Sequence, residues 1–255
     1  MNGDTPLSVH AVDRVRRVVL DHGANALDEL VLGALDGVLV DLEREGAPAV
    51  VLASAHPRIF CPGLDLKRLD GEPRAVVRRV MEAFNAVLRR LATYPGPTVA
   101  AVAGHAIAGG CLLAAACDRR TMARSGARIG LAEINLGIPV PAGAVAMLRR
   151  LYPTRTVEQM VLEGDGFGGE RALELGFVEK LSDTAQVLEE GCRLAAHLAS
   201  RPAGAFATAK HFLRAGLGEE MAALDAEHLD RFLDHWFEAD TQDRMGAQIH
   251  GMAHR

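Results

Sequence analysis

The stretch GHAIAGGCLLAAACD, residues 104–118, joins a pair of glycines to an apolar segment typical of a helix. It follows TVAAVA (98–103), a β-branched run that predicts a buried strand. Glycines at a helix start let a ligand approach N–H groups that have no partner within the helix. Such N–H groups stabilise a carbonyl oxygen that gains negative charge during a reaction. A tight strand-to-helix turn needs glycine as well, so this stretch alone leaves both interpretations open.

The composition is that of a globular protein, with 49% hydrophobic and 24% charged residues among 255. The net charge of −5 argues against a nucleic-acid partner, because there is no basic excess to displace counterions. The four cysteines have no zinc-site spacing, so we expect no metal. The N-terminal residues show no secretory pattern, and we expect a cytoplasmic protein.

Residues 97–117 contain no acid, lysine or arginine over the length of a membrane span. They are mostly alanine and glycine, they include His105, and they open with the pattern of a strand. A buried strand, a turn and a core helix explain them better, so we expect no membrane partner.

Strand-like and helix-like segments alternate over the first part of the chain. Buried strands are predicted at 15–20, 49–53 and 98–103, and amphipathic helices at 26–45 and 73–93. This alternation indicates an α/β fold. From residue 184 onward the pattern is helical, and its apolar stripe from Met221 to Trp236 must be buried against the core or a subunit partner. We predict an α/β core over residues 1–195 and a helical region over 196–255.

Two further segments carry chemistry. RIFCPGLDL (58–66) is a second strand-like run that leads into a glycine and an apparent helix. IGLAEINLGIPVPAG (129–143) places Glu133 among apolar neighbours. A carboxylate with so few polar neighbours is either exposed or held at a raised pKa for proton transfer.

FCPGLDL, AGGCLLAAACD and IGLAEINLGIPVPAG, in this order and spacing, resemble the enoyl-CoA hydratase/isomerase (crotonase) superfamily. The resemblance implies a crotonase-like ββα spiral core with a C-terminal helical trimerisation region. It also implies an acyl-CoA thioester substrate and a homotrimer or a dimer of trimers. No cofactor is implied, since coenzyme A is part of the substrate.

The same resemblance implies roles for single residues. The N–H groups of Leu64, just after Gly63, and of Gly109 match the two donors that hold the thioester carbonyl in this family. Glu133 matches one of the two catalytic glutamates of the hydratases, whereas Leu112 stands at the position of the other. Hydration needs both carboxylates, but one suffices for a 1,3-proton shift. The pattern therefore favours an isomerase that moves a double bond from the 3 to the 2 position of an enoyl-CoA.

The remaining substrate-binding candidates are weaker. Apolar side chains are expected to wall the acyl pocket, and Leu112 would also exclude water and raise the pKa of Glu133. Basic residues beside the first glycine loop fit the CoA phosphates or a solvated surface equally well, and the loop at 25–27 matches one that runs beside the adenine. These candidates are Leu66, Leu112 and Ile138, then Arg58 and Lys67, and finally Ala26.

Two alternatives remain open. One is another enzyme of the superfamily, either a hydratase that works with Glu133 alone or a decarboxylase or C–C lyase that depends on the oxyanion hole. The other is a non-catalytic acyl-CoA-binding protein that has kept the fold. A scaffold has no need of a carboxylate among apolar residues, so replacing Glu133 separates the two.

Overall fold

The computed structural model describes residues 5–253 and contains two sheets surrounded by helices. The strands are β1 (Leu7–Val12), β2 (Val15–Leu20), β3 (Ala49–Ser54), β4 (Ile59–Cys61), β5 (Thr98–Val102), β6 (His105–Ile107), β7 (Arg119–Ala123), β8 (Arg128–Gly130), β9 (Gly166–Gly168) and β10 (Lys180–Ser182). The helices are α1 (Glu29–Arg44), α2 (Leu66–Leu69), α3 (Arg74–Thr93), α4 (Gly109–Ala116), α5 (Ala142–Leu151), α6 (Thr154–Glu163), α7 (Gly169–Glu174), α8 (Val187–Ala199), α9 (Ala203–Leu213), α10 (Leu217–Trp236) and α11 (Ala239–Ala253). The predicted α/β class is confirmed.

The larger sheet has the strand order β1-β2-β3-β5-β7-β10, and only its β1–β2 pair is antiparallel. The smaller sheet has the order β4-β6-β8-β9, and its last pair is antiparallel. Strand β5 is buried at every residue, and α8 packs across it and across β3. Because successive side chains of a strand point to opposite faces, β5 is buried on both faces. This burial explains why the parallel strands are continuous apolar runs rather than alternating ones.

The predicted helix at 26–45 begins later, at Glu29. Asn25 has φ of 60°, and Leu27 forms a β-bridge with Leu64, so neither is helical. Asp28 then caps the helix by accepting a hydrogen bond from the N–H of Val31 at 2.8 Å. The helix predicted at 73–93 is found as α3.

The C-terminal helices fold back onto their own chain. The apolar stripe of α10 packs on α3 and α5, and α11 contacts both α2 and the 3₁₀ helix Glu133–Leu136. Residue 195 lies inside α8, and the division of the chain at this point stays a prediction. Within residues 5–253, no helix combines the length and the apolar character that a membrane span requires.

Candidate active site

Two glycine turns meet at the start of α4. A β-carbon on Gly63 would stand 3.0 Å from Ala108 Cβ and 3.1 Å from the nitrogen of Gly109. A β-carbon on Gly110 would stand 2.0 Å from the carbonyl oxygen of Cys61. The two backbones approach this closely only because Gly63 and Gly110 have no side chain. The structure thus brings Gly63, Leu64 and Gly109 together, and their role in catalysis stays a prediction.

Leu27 fixes the direction of the first turn. Its N–H donates to the carbonyl of Gly63 at 2.8 Å, and its carbonyl accepts from the N–H of Asp65 at 3.1 Å. In this parallel bridge Leu27 bonds to the residues on either side of Leu64, so the N–H of Leu64 itself points away from Leu27. Among the described residues it has no hydrogen-bond acceptor, so it is available to a ligand.

The second turn is strained next to its available N–H. Ala108 has φ of 51° and ψ of −122°, a conformation that residues with a side chain rarely adopt. Its N–H donates to the carbonyl of Gly130 at 2.9 Å, which holds the turn against β8. Gly109 follows as the first residue of α4, where an N–H has no acceptor within the helix. Strain of this kind concentrates at functional sites.

Glu133 is buried just beyond β8. It begins the 3₁₀ helix and is 6% exposed. Burial raises the pKa of its carboxyl to about 7, although the N–H groups of residues 133 and 132 hold the pKa down, the latter by donating to Oε2 at 2.8 Å. The rise in pKa predicted from its apolar neighbours is found. Near neutral pH this side chain exchanges a proton readily.

Helix α4 lies beside this carboxylate. Burial first, and then the nearby charge of Glu133, raise the pKa of the Cys111 thiol. The next residue, Leu112, is fully buried and donates its N–H to the carbonyl of Ala108 at 3.0 Å. The position that the resemblance matches to the second hydratase glutamate therefore carries an apolar side chain, one turn above the strained residue.

The other predicted residues fall into two groups by exposure. Ile138 is buried, whereas Leu66 and Ala26 are half-buried on the segments that flank Leu64. Arg58 and Lys67 are exposed. Burial suits the wall of an acyl pocket and exposure suits contact with phosphates, but the roles of these residues stay predictions.

Sequence reasoning missed the residues that hold the first glycine loop. Arg68 donates to Oδ2 of the buried Asp28 at 2.8 Å, which ties α2 to the start of α1. The buried amide of Asn25 donates to Ser54 Oγ at 2.8 Å and to the carbonyl of Phe60 at 3.3 Å. These contacts join residues 29 to 40 positions apart. The local sequence indicated only a helix cap, from the order Asn-Ala-Leu-Asp before a helix.

Helix α11 lies against the loop that follows Glu133. A β-carbon on Gly137 would stand 2.5 Å from Thr241 Oγ1, so the helix packs directly on this turn. Gly137 has φ of 88°, which permits the sharp turn between the 3₁₀ helix and Ile138. The C-terminal region of the same chain thereby closes one side of the candidate site.

N–H groups without acceptors beside a buried carboxylate are typical of enzymes that move protons next to a carbonyl group. The chain belongs to the enoyl-CoA hydratase/isomerase family, whose model matches residues 14–250. The superfamily and the crotonase fold expected from the three motifs are thereby confirmed.

Relatives within the family differ in their described activities. The short-chain-enoyl-CoA hydratase of Clostridium acetobutylicum is 28% identical over 226 residues, 88% of this chain and 86% of that protein. Two structures of one Mycobacterium tuberculosis protein, described as an enoyl-CoA isomerase in one case and as a probable enoyl-CoA hydratase in the other, have a TM-score of 0.83 at 26% identity. They cover 90% and 91% of this chain and 100% of their own. Human mitochondrial Δ3-Δ2-enoyl-CoA isomerase shares the fold with a TM-score of 0.89 at 24% identity, over 98% of both chains.

Proposed function

We propose that this protein is an enoyl-CoA isomerase that moves a double bond from the 3 to the 2 position of an acyl-CoA thioester. The observation that carries the proposal is the buried carboxylate of Glu133, which lies beside a helix with leucine at residue 112. Family membership supports the thioester substrate, and coenzyme A is part of that substrate. No metal or redox cofactor enters the proposed reaction.

In this proposal the thioester carbonyl lies between the N–H groups of Leu64 and Gly109. Glu133 takes a proton from C2, and the electron pair of the C–H bond delocalises onto the carbonyl oxygen. The two donors stabilise the resulting dienolate. Glu133, now protonated, returns the proton to C4, and the double bond comes to rest between C2 and C3. One carboxylate with a pKa of about 7 serves as base and then as acid.

Leu112 has a protective role in this mechanism. Hydration of a 2-enoyl-CoA requires a water molecule to be oriented and deprotonated. An apolar side chain at this position offers that water no acceptor and leaves the dienolate to be reprotonated by Glu133 alone.

The proposed oligomer is a homotrimer or a dimer of trimers. Helix α9 supports this, because most of its apolar residues are exposed, including Phe212 at 72% and Leu213 at 77%. An exposed apolar helix face is typical of a subunit interface.

A parallel assay on a 3-enoyl-CoA and a 2-enoyl-CoA, with wild type and Glu133→Gln, tests the function. We expect isomerisation of the first, little hydration of the second, and loss of turnover in the variant. Fast hydration of the 2-enoyl-CoA would instead favour the second candidate, a hydratase, which the described activity of the clostridial relative supports. Acyl-CoA binding without turnover in wild type would favour a binding protein.

A further inference from the structure

A small polar cavity lies between α3, α5 and α10. Its lining includes Asn85 on α3, Pro141 before α5, and Asp225 and His228 on α10. Its volume is about 10 Å³, which is room for one water-sized oxygen atom. The remaining lining is mostly apolar, so the polar groups define what the cavity binds.

Two buried oxygen atoms at this cavity lack a donor. Asp225 is 9% exposed, and its Oδ1 accepts from the N–H of Gly143 at 2.9 Å. Its Oδ2, and Oδ1 of the 5% exposed Asn85, accept no hydrogen bond from any residue that the structure describes. A buried acceptor without a donor is unfavourable, so the pair favours a group that brings one.

The cavity adjoins the candidate active site. Phe84, the residue before Asn85, has Cε2 3.3 Å from the position of a β-carbon on Gly109. Pro141 lies three residues after Ile138, on the loop that follows Glu133. Both the helix and the loop therefore connect the proposed reaction centre with the cavity, and Met81, Leu229 and Phe232 line the cavity with apolar surface.

The charges around the cavity decide which polar group fits. Asp225 faces the Gly143 N–H and the more distant Arg89; burial raises the pKa of its carboxyl, while these two groups lower it. A second carboxylate at the end of an acyl chain would meet two acceptors and be repelled. A hydroxyl group has the size of the cavity, and its single O–H supplies a donor to one of the two oxygen atoms.

We propose that this cavity binds a hydroxyl group at the far end of the acyl chain, so that the preferred substrates are hydroxyacyl-CoA esters. The inference rests on the proposed function, because it takes the acyl chain to lie between Gly109 and the loop after Glu133. Recognition of the hydroxyl group requires binding only and not turnover, so the two proposals can be tested separately.

Calorimetry with saturated acyl-CoA esters of increasing length, each with and without a terminal hydroxyl, tests the inference. In wild type we expect the hydroxyl to tighten binding about tenfold or more at one chain length, as a hydrogen bond to a charged group does. Asn85→Leu and Asp225→Asn should each reduce this ratio towards one. Asp225→Asn keeps the oxygen that accepts from Gly143, so it carries the test even where Asn85→Leu does not fold. Asp230→Asn, an exposed acid on the same helix, is the matched control and should keep the ratio.

Equal affinities at every length in wild type would overturn the inference, and so would a hydroxyl preference that survives in both variants. A hydroxyl preference without isomerase turnover would leave the inference standing and overturn the proposed function. Turnover without the preference would do the reverse. Failure of every ester to bind would overturn both.

Discussion

Gly63 lies directly against Gly109, and a β-carbon on Gly63 would stand 3.1 Å from the backbone nitrogen of Gly109. This contact places the N–H of Leu64 and that of Gly109 on two adjoining turns. Both proposed donors are backbone groups, so the proposed oxyanion hole depends on how closely the two turns approach.

Gly63→Ala should therefore reduce kcat strongly. The added methyl group displaces Gly109, and loss of one oxyanion donor costs about 10²–10³ in rate. Gly71→Ala is the matched control, because Gly71 also has a positive φ, 70° against 96°, but has open space around it. Both variants should lose about 1–2 kcal/mol of unfolding free energy. Equal kcat values for the two variants would contradict the proposed contact.

The pKa of Glu133 predicts the pH dependence of activity. The proposed base acts as carboxylate, so kcat/KM for a 3-enoyl-CoA should rise with pH through about 7 and then level off. A profile already flat down to pH 5, measured in buffers of constant ionic strength, would refute this role, since an unshifted glutamate titrates near ~4.3.

The same pKa predicts a change in stability. Folding raises the pKa of Glu133 from 4.5 to about 7, so the folded state binds more protons between these values and its stability falls as pH rises. Glu133→Gln removes this loss, which is on the order of 3 kcal/mol above pH 7. Thermal melts should show the variant more stable than wild type at pH 8, with little difference at pH 4. If wild type were more stable than Glu133→Gln at pH 8, the raised pKa of Glu133 would be contradicted.

Leu112→Glu should introduce hydration. It restores a carboxylate one turn above Ala108, where a water molecule could be oriented. We expect faster hydration of a 2-enoyl-CoA, measured by loss of the absorbance of its conjugated double bond. We also expect slower isomerisation of a 3-enoyl-CoA, measured by the gain of that absorbance. Leu112→Gln introduces a side chain of the same shape as glutamate but without its charge, so this variant should lose isomerase activity without gaining hydration. Both variants need a circular dichroism check, because Leu112 is fully buried. A folded Leu112→Glu without hydration would indicate that this position lies away from the reacting double bond.

The ion pair between Arg68 and Asp28 should affect catalysis although the Arg68 side chain is exposed. Arg68→Met frees the loop that carries Leu64, and we expect kcat to fall about tenfold with a smaller change in KM, because misplacing a catalytic group lowers the rate. Arg79→Met is the control, since its pair with Glu29 at 3.6 Å is exposed on both sides. Rescue of kcat by Arg68→Lys would support the positioning role. Unchanged kcat in Arg68→Met would exclude it.

Asp118 is the centre of a buried charge cluster that attaches α9. Its carboxylate accepts from Lys210 Nζ and Arg214 Nη2, both at 2.7 Å. Asp118→Asn leaves two buried cations without their counter-charge and should cost about 3–5 kcal/mol in urea unfolding. Asp240→Asn breaks an exposed pair with Arg244 and should cost less than about 0.5 kcal/mol. Similar losses in the two variants would mean that the cluster contributes little.

Local patterns along the chain were sufficient to predict the fold class, the main strands and the three motifs. Apolar runs such as 49–53 and 98–103 are local, and a run that is apolar on both faces forms a strand only where helices cover both sides of a sheet. The glycine turns were equally local, because a close backbone approach requires residues without side chains. The apolar neighbours of Glu133 left it either exposed or held at a raised pKa, and its burial is seen only in the structure.

Contacts between distant residues could be seen only in the folded chain. The sequence left open whether the apolar stripe of α10 packs on the core or on a subunit partner, and the structure packs it on α3 and α5. Helix α9 buries Lys210 and exposes Phe212 and Leu213, the reverse of what hydropathy indicates. Lys210 is buried because it donates to the carboxylate of Asp118, which is 92 positions away in the sequence. Asn85 and Asp225 likewise share a cavity although no periodicity relates them. Contacts of this kind depend on how the helices cross, and the crossing of helices cannot be read from a local pattern of side chains.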